Sequence, residues 1–159
     1  MAVTALSGPG VPERMTPRAR AYMSIVAARH VLVGLACIVL PDHFTSTSYD
    51  VLKGFLGTLL SPDQTLVAWG CAFVAVGSLA AYAAVTGREE PARSALRASV
   101  TTTALWAGGF LAVIFTGASA GWSGVIVWTA LAAKDLTMLR DPLRNPFEDL
   151  VRSDTRAGG

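Results

Sequence analysis

Four apolar stretches, each close to the length of a membrane crossing, run along this chain, and basic residues fill every second connector between them. The stretches lie at residues 22–40, 66–86, 98–116 and 122–139. An α-helix needs roughly 20 apolar residues to cross a hydrocarbon core about 30 Å thick, where every backbone polar group must be paired internally. The segment before the first stretch carries Arg14, Arg18 and Arg20. The second connector carries Arg88, Arg93 and Arg97, and the last tail carries Arg140, Arg144, Arg152 and Arg156. The first connector has Lys53 alone of the Lys/Arg type, and the third has no charge. Basic loops stay on the cytoplasmic side. The alternation therefore predicts four spans with both termini in the cytoplasm.

Composition supports this reading. Charged residues make up 15% of the chain and hydrophobic residues 52%, against about 25% charged in an ordinary soluble domain. A soluble bundle keeps a polar face on every helix, and residues 104–116 offer almost none. A net charge of +2 is too small and too dispersed for nucleic-acid binding. The basic residues flank apolar runs, where topology and anionic headgroups account for them. The expected partner is the lipid bilayer.

The expected fold is all-α: a four-transmembrane-helix bundle over residues 17–140, with an amphipathic interfacial helix between spans 1 and 2. Residues 1–16 read as a disordered tail. Thr16-Pro17 reads as a helix start, with Thr as N-cap and Pro in the first turn, and Pro41 closes that helix. No small-residue cleavage site follows Leu40, so the first stretch is expected to be a retained span and not a signal peptide. In residues 48–60, Val51, Leu52, Phe55, Leu56, Leu59 and Leu60 share one helical face. That face suits either the outer membrane interface or a cap over the bundle mouth. Ser61-Pro62-Asp63 starts the second span. Tyr22, Trp69, Tyr82 and Trp122 fall at the depths of an aromatic belt, whereas Trp106 and Trp128 lie deeper and are expected between helices. Residues 87–97 read as a charged connector, and the short turn at 117–121 makes the last two spans an antiparallel hairpin. Gly77 with Ala81, and Ala80 with Ala84, have the small-xxx-small spacing of close helix contact, within one chain or between copies. In the cytoplasmic tail, 141–159, Pro142 and Pro146 stop the last helix, and Phe147 and Leu150 suit docking on the membrane or a soluble partner.

Arg29 and His30 are the most pointed residues, because they lie well inside the first span. An ionised group near the bilayer centre costs from about 2.5 kcal/mol upward, so it should face protein or water. Asp135, beside Lys134 in the fourth span, is the best partner. Together they suit a polar site or proton path open to the cytoplasm. The alternative is an Arg29 that snorkels inward and a His30 that bonds a nearby carbonyl. Thr101, Thr102 and Thr103 form a polar run, with Thr102 the candidate for a shared lining. The same hydroxyls can instead bond back to the preceding turn. Asp42, His43 and Asp63 read as solvated surface charge. Cys37 and Cys71 read as two small buried thiols, and their spacing leaves pairing open. No metal-ligand spacing and no phosphate, dinucleotide or hydrolase motif is present. A non-enzymatic protein without a cofactor is the expectation.

The Arg-rich start, Pro41, the interfacial segment, and Lys134-Asp135-Leu136 followed by Pro-Leu-Arg-Asn-Pro-Phe-Glu at 142–148 resemble small four-helix membrane proteins encoded by phages of high-GC actinobacteria. The likeness covers roughly residues 18–149. The resemblance implies a holin-like role, and small size, the lack of a catalytic motif, Ala/Gly-rich spans and the amphipathic outer segment favour the same expectation: a bacterial inner-membrane protein that acts by self-association, with a homo-oligomer as its possible form. A second likeness, to DoxX-type four-helix proteins, carries over no recognised site. Two other functions fit the residues: a small transport or redox accessory protein with a polar intramembrane site, and a membrane anchor whose C-terminal tail docks a soluble partner.

Overall fold

The computed structural model describes residues 14–54, 59–115 and 121–140, and in these the regular elements are all helices. They are α1 (Pro17–Val39), α2 (Asp50–Gly54), α3 (Pro62–Thr86), α4 (Glu89–Phe115) and α5 (Trp122–Arg140). Residues 1–13, Phe55 and Leu56 of the interfacial face, turn residues 117–120, and the tail with Pro142, Pro146, Phe147 and Leu150 lie outside the described residues.

The helix starts follow local chemistry. Thr16 Oγ1 accepts the Ala19 amide at 3.1 Å, and Pro17 occupies the first turn of α1, where a missing N–H costs nothing. Ser61 and Gln64 form a reciprocal capping box at the head of α3. At the other end of α3, Gly87 takes a left-handed conformation with φ 66°, which lets its amide close on Ala83 O without a Cβ penalty.

The bundle consists of two antiparallel helix pairs. In the first, α1 lies on α3 at backbone contact. A Cβ on Gly34 would lie 2.6 Å from Gly70 O, and one on Gly77 would lie 3.0 Å from Ala27 O. Small residues permit such an approach. In the second pair α5 runs back along α4, and a Cβ on Gly124 would lie 2.5 Å from the Phe110 ring. Alanines fill the arginine-bearing end of the core, including Ala80, Ala83, Ala92 and Ala95. Aromatics fill the opposite end, where Phe73, Trp106 and Phe110 meet edge to face.

Four local expectations are corrected. Arg14 and Met15 belong to the fold and not to a disordered tail: Met15 N–H donates to Gly87 O at 2.7 Å, and its side chain is buried in the alanine-rich core. The 87–97 connector shrinks to Gly87 and Arg88, because α4 begins at Glu89. Ala92, Ala95 and Leu96 are buried, and Arg93 pairs with Glu89 one turn earlier at 2.7 Å, so this charged stretch gains from being helical. Trp69 is not a free belt residue. Its Nε1–H donates to Leu52 O, and its ring packs edge-on against Trp106. Of residues 48–60, those described begin with a 3-10 turn, Thr47–Tyr49, which leads into α2, whose Leu52 is buried in the aromatic end of the core and not turned to a membrane interface.

Two arginines of the charged end cap helices across the fold. Arg20 donates to Ala84 O and Val85 O at the end of α3, and Arg93 donates to Leu139 O at the end of α5. Both satisfy carbonyls that a helix leaves unpaired, at its negative pole.

The outer surface is apolar. Leu32 is 68% exposed, Val85 77% and Phe115 83%, a surface that water disfavours and lipid accepts. Three helices, α1, α3 and α4, are long and apolar enough to cross a membrane. The shorter α5, interrupted by Lys134 and Asp135, does not meet the same measure. We predict that Gly34→Leu lowers stability by at least about 1–3 kcal/mol, the usual cost of overpacking. Gly108→Ala, with nothing within 4 Å of the new methyl, should be neutral or stabilising. Thermal unfolding in detergent distinguishes the two.

Candidate functional site

The site forms where the two helix pairs meet. On α1, Tyr22 and Arg29 are seven residues apart, two turns along one face, and His30 adjoins Arg29. On α4, Ser99 belongs to the buried stripe that includes Leu96, Thr103 and Trp106. On α5, Asp135 is the only buried residue. This peripheral helix therefore turns a carboxylate inward beside the half-buried Val125, Trp128, Met138 and Leu139, while Ile126, Val127 and Leu136 are exposed.

That carboxylate is the hub. Arg29 Nη2 donates to Oδ2 at 2.6 Å, Tyr22 donates to Oδ1, and the Ser99 hydroxyl makes a short contact with Oδ2. Arg29 also donates to Ser99 Oγ at 3.0 Å. Ser99 Oγ lies 3.2 Å from His30 Nε2, and His30 Nδ1 lies 2.9 Å from Val26 O. His30, Ser99 and Asp135 are all buried to within 1%. A buried ion pair offsets its desolvation only when its remaining polar atoms find partners, and here three donors from two helices reach one aspartate. The exception is Arg29 Nε, which is buried without a partner. The Arg29 side chain keeps 18% exposure, so the cluster has an edge at the protein surface.

The other residues singled out from the sequence fall around this hub. Lys134 is exposed, with its ammonium 5.1 Å from the centre of the Tyr22 ring, a cation–π distance. Thr102 is half-buried and outside the cluster. Thr103 is buried and bonds back to Ser99 O at 2.7 Å. Gly77 packs on α1 and Ala84 is buried, but Ala81 is exposed. Cys37 is buried and Cys71 exposed, and both are free thiols. Among the described residues, no three His, Cys, Asp or Glu side chains converge as metal ligands.

Two members were not singled out from the sequence. Tyr22 reads from the sequence as an aromatic-belt residue, and its seven-residue spacing from Arg29 is the signal that it shares the Arg29 face. Ser99 is overshadowed in the sequence by the adjacent threonine run, and helical phase, which places it with Leu96 and Trp106, is its only signal. No family model, curated protein or solved structure matches the chain.

Removing one partner of a buried ion pair leaves the other charge uncompensated, at a cost of about 3–5 kcal/mol. We expect Asp135→Ala to approach that range, because Arg29, Tyr22 and Ser99 all lose an acceptor. Thr102→Ala should change stability by less than about 0.5 kcal/mol. Unfolding of both variants in the same detergent checks the contrast.

Proposed function

We propose that the chain is a four-span protein of a bacterial cytoplasmic membrane with both termini inside, and that it works as a small transport-type protein through the Tyr22–Arg29–His30–Ser99–Asp135 cluster. The observation that carries this reading is Asp135, a fully buried carboxylate joined to Arg29 between otherwise apolar helices. Ionisable groups are rare inside membrane spans and mark ion or solute paths when they occur there. The fourth crossing is supported by the packing of α5 along α4 and by the use of Asp135 inside the protein, which removes much of the cost of burying it. Orientation is supported by the basic residues gathered at one end, and the exposed aromatics Tyr82 and Trp122 suit opposite interfaces.

Self-association is the second reading. An open, apolar groove of about 220 Å3 runs between α4 and α5 past Ala104, Gly108 and Ala132, small residues that admit a second helix. It has less to draw on than the sequence suggests, because Gly34, Gly70 and Gly77 are already used within the chain.

Proteoliposomes separate the two readings. A transport site predicts gradient-driven flux of a small ion or solute that Asp135→Asn abolishes and Thr102→Ala retains, with a large trapped dye held inside. Release of the large dye, unaffected by Asp135→Asn, would favour the self-associating lesion. No flux of either kind would remove the transport reading. For topology, an impermeant maleimide should label Asp63→Cys and Ser123→Cys on intact cells, and Glu90→Cys and Arg140→Cys only after permeabilisation.

A further inference from the structure

We infer that the buried His30–Ser99–Asp135 chain is a proton-binding site, holding one proton more than a neutral histidine, a serine and an ionised aspartate supply. The inference deepens the transport reading, since it makes the proton the ion that the site handles, but it is argued from hydrogen counting alone.

Three contacts lie in a row: Val26 O to His30 Nδ1 at 2.9 Å, His30 Nε2 to Ser99 Oγ at 3.2 Å, and Ser99 Oγ to Asp135 Oδ2. Each needs one hydrogen between its two heavy atoms. Val26 O only accepts, so Nδ1 carries a proton. A neutral imidazole then has none for Nε2, and Ser99 has a single hydroxyl hydrogen for two contacts. Two hydrogens are present where three are needed. Arg29 cannot fill the gap, because its Nη2 approaches Ser99 Oγ and Asp135 Oδ2 from outside the row, as a donor to each. Tyr22 cannot either, because its hydroxyl goes to Oδ1.

One added proton completes the row in two ways. In the first, His30 is an imidazolium that donates from Nε2 to Ser99 Oγ, and Ser99 donates to an ionised Asp135. In the second, His30 is neutral and accepts at Nε2 from Ser99, while a protonated Asp135 donates from Oδ2 to Ser99 Oγ. The two forms have the same atoms and the same net charge. They interconvert when the Nε2 proton moves to Ser99 Oγ as the Ser99 proton moves to Oδ2. One N–H and one O–H bond break, two O–H bonds form, and no electrons are transferred. Without the added proton, the Ser99 hydrogen fills one of its two contacts, and the other, to Nε2 or to Oδ2, sets lone pairs face to face among side chains that are fully buried, the situation that buried polar groups avoid.

Among the described residues, the groups that face the row from each helix are these. From α1 the facing groups are Arg29 and Tyr22. From α4 the Thr103 hydroxyl is turned to Ser99 O. From α5 comes Asp135 itself, with Lys134 over the Tyr22 ring. From α3 the neighbour is the Phe73 ring, 5.5 Å from His30. The partly exposed Arg29 marks the edge through which a proton enters.

The test uses the full chain in lipid nanodiscs, with nitrogen-15 NMR of the histidine rings and infrared detection of protonated carboxyl groups, titrated over about pH 5 to 8. Exposed His43, the other histidine of the chain, is the internal reference. At neutral pH we expect either a doubly protonated His30 ring or a protonated carboxyl band that Asp135→Asn removes. If the proton leaves within the range, the His30 and Asp135 signals should move at one common midpoint. Ser99→Ala should split that midpoint by at least about one pH unit, or strip the proton from the site at neutral pH, because two sites that titrate as a coupled pair become separate. A singly protonated His30 beside an ionised Asp135 at neutral pH would overturn the inference. A common midpoint that survives in Ser99→Ala would also overturn it. The wild-type titration decides the matter even if Ser99→Ala does not fold. Loss of the transport reading in proteoliposomes with the nanodisc result intact would leave the proton site standing.

Discussion

A carboxylate in an apolar interior must be paired, and the architecture of this chain is arranged around that requirement. Asp135 is the only buried side chain of α5. Its partners come from α1 and α4, so a single residue ties three helices together. The α1–α3 and α4–α5 pairs each have their own basis for packing, glycine-mediated approach in the first and aromatic contact in the second. Across the pairs, Trp69 and Phe73 of α3 pack on Trp106 of α4, and Phe73 also packs on Trp128 of α5. Lipid-facing helices gain little from hydrophobic burial against one another, since the surrounding tails are as apolar as the side chains. The directional polar contact at Asp135 therefore adds to the orientation that these ring contacts give.

The chain divides its small and large residues along the same axis. Alanines crowd the end where Arg20 and Arg93 cap helix carbonyls, and rings crowd the other end. At the alanine end, the helices come close enough for an arginine on one to reach the last turn of another. At the other end, Phe73, Trp106 and Trp128 pack against one another, and α1 meets α3 at backbone contact through Gly34 and Gly70. The polar cluster sits between these regimes, where an arginine or tyrosine side chain is long enough to span the gap and a serine fills the middle.

Much of this was legible in the sequence, and the limits have physical causes. Thr16-Pro17 and Ser61-Pro62 announce helix starts through chemistry confined to a few residues. Arg29 and Asp135 stand out because ionisable groups in apolar runs must find each other. The charged run at 89–97 was misleading, since charge alone does not end a helix when one face is alanine. Ser99 and Tyr22 carry no such signal, because a hydroxyl is chemically ordinary in an apolar helix and its meaning comes from helical phase and from neighbours on other helices. The contact of Gly34 with Gly70 is of the same kind. It depends on the register of two helices separated by a connector, which local pattern does not encode.

The same contacts serve as lock and as proton site, and this has a consequence for motion. A structural ion pair with its hydrogen bonds complete has no reason to change. The His30–Ser99–Asp135 row differs, because its completeness depends on one mobile proton. When that proton is present, α5 is held by a filled network. When it is absent, one contact in the row becomes repulsive, and α5 keeps the half-buried packing of Val125, Trp128, Met138 and Leu139 and the Arg93 cap. Arg29 continues to attract Asp135 in either state, so the helix is loosened and not released. A small bundle of this design can respond to protons at the element with the least burial to lose, which is where a conformational response costs least.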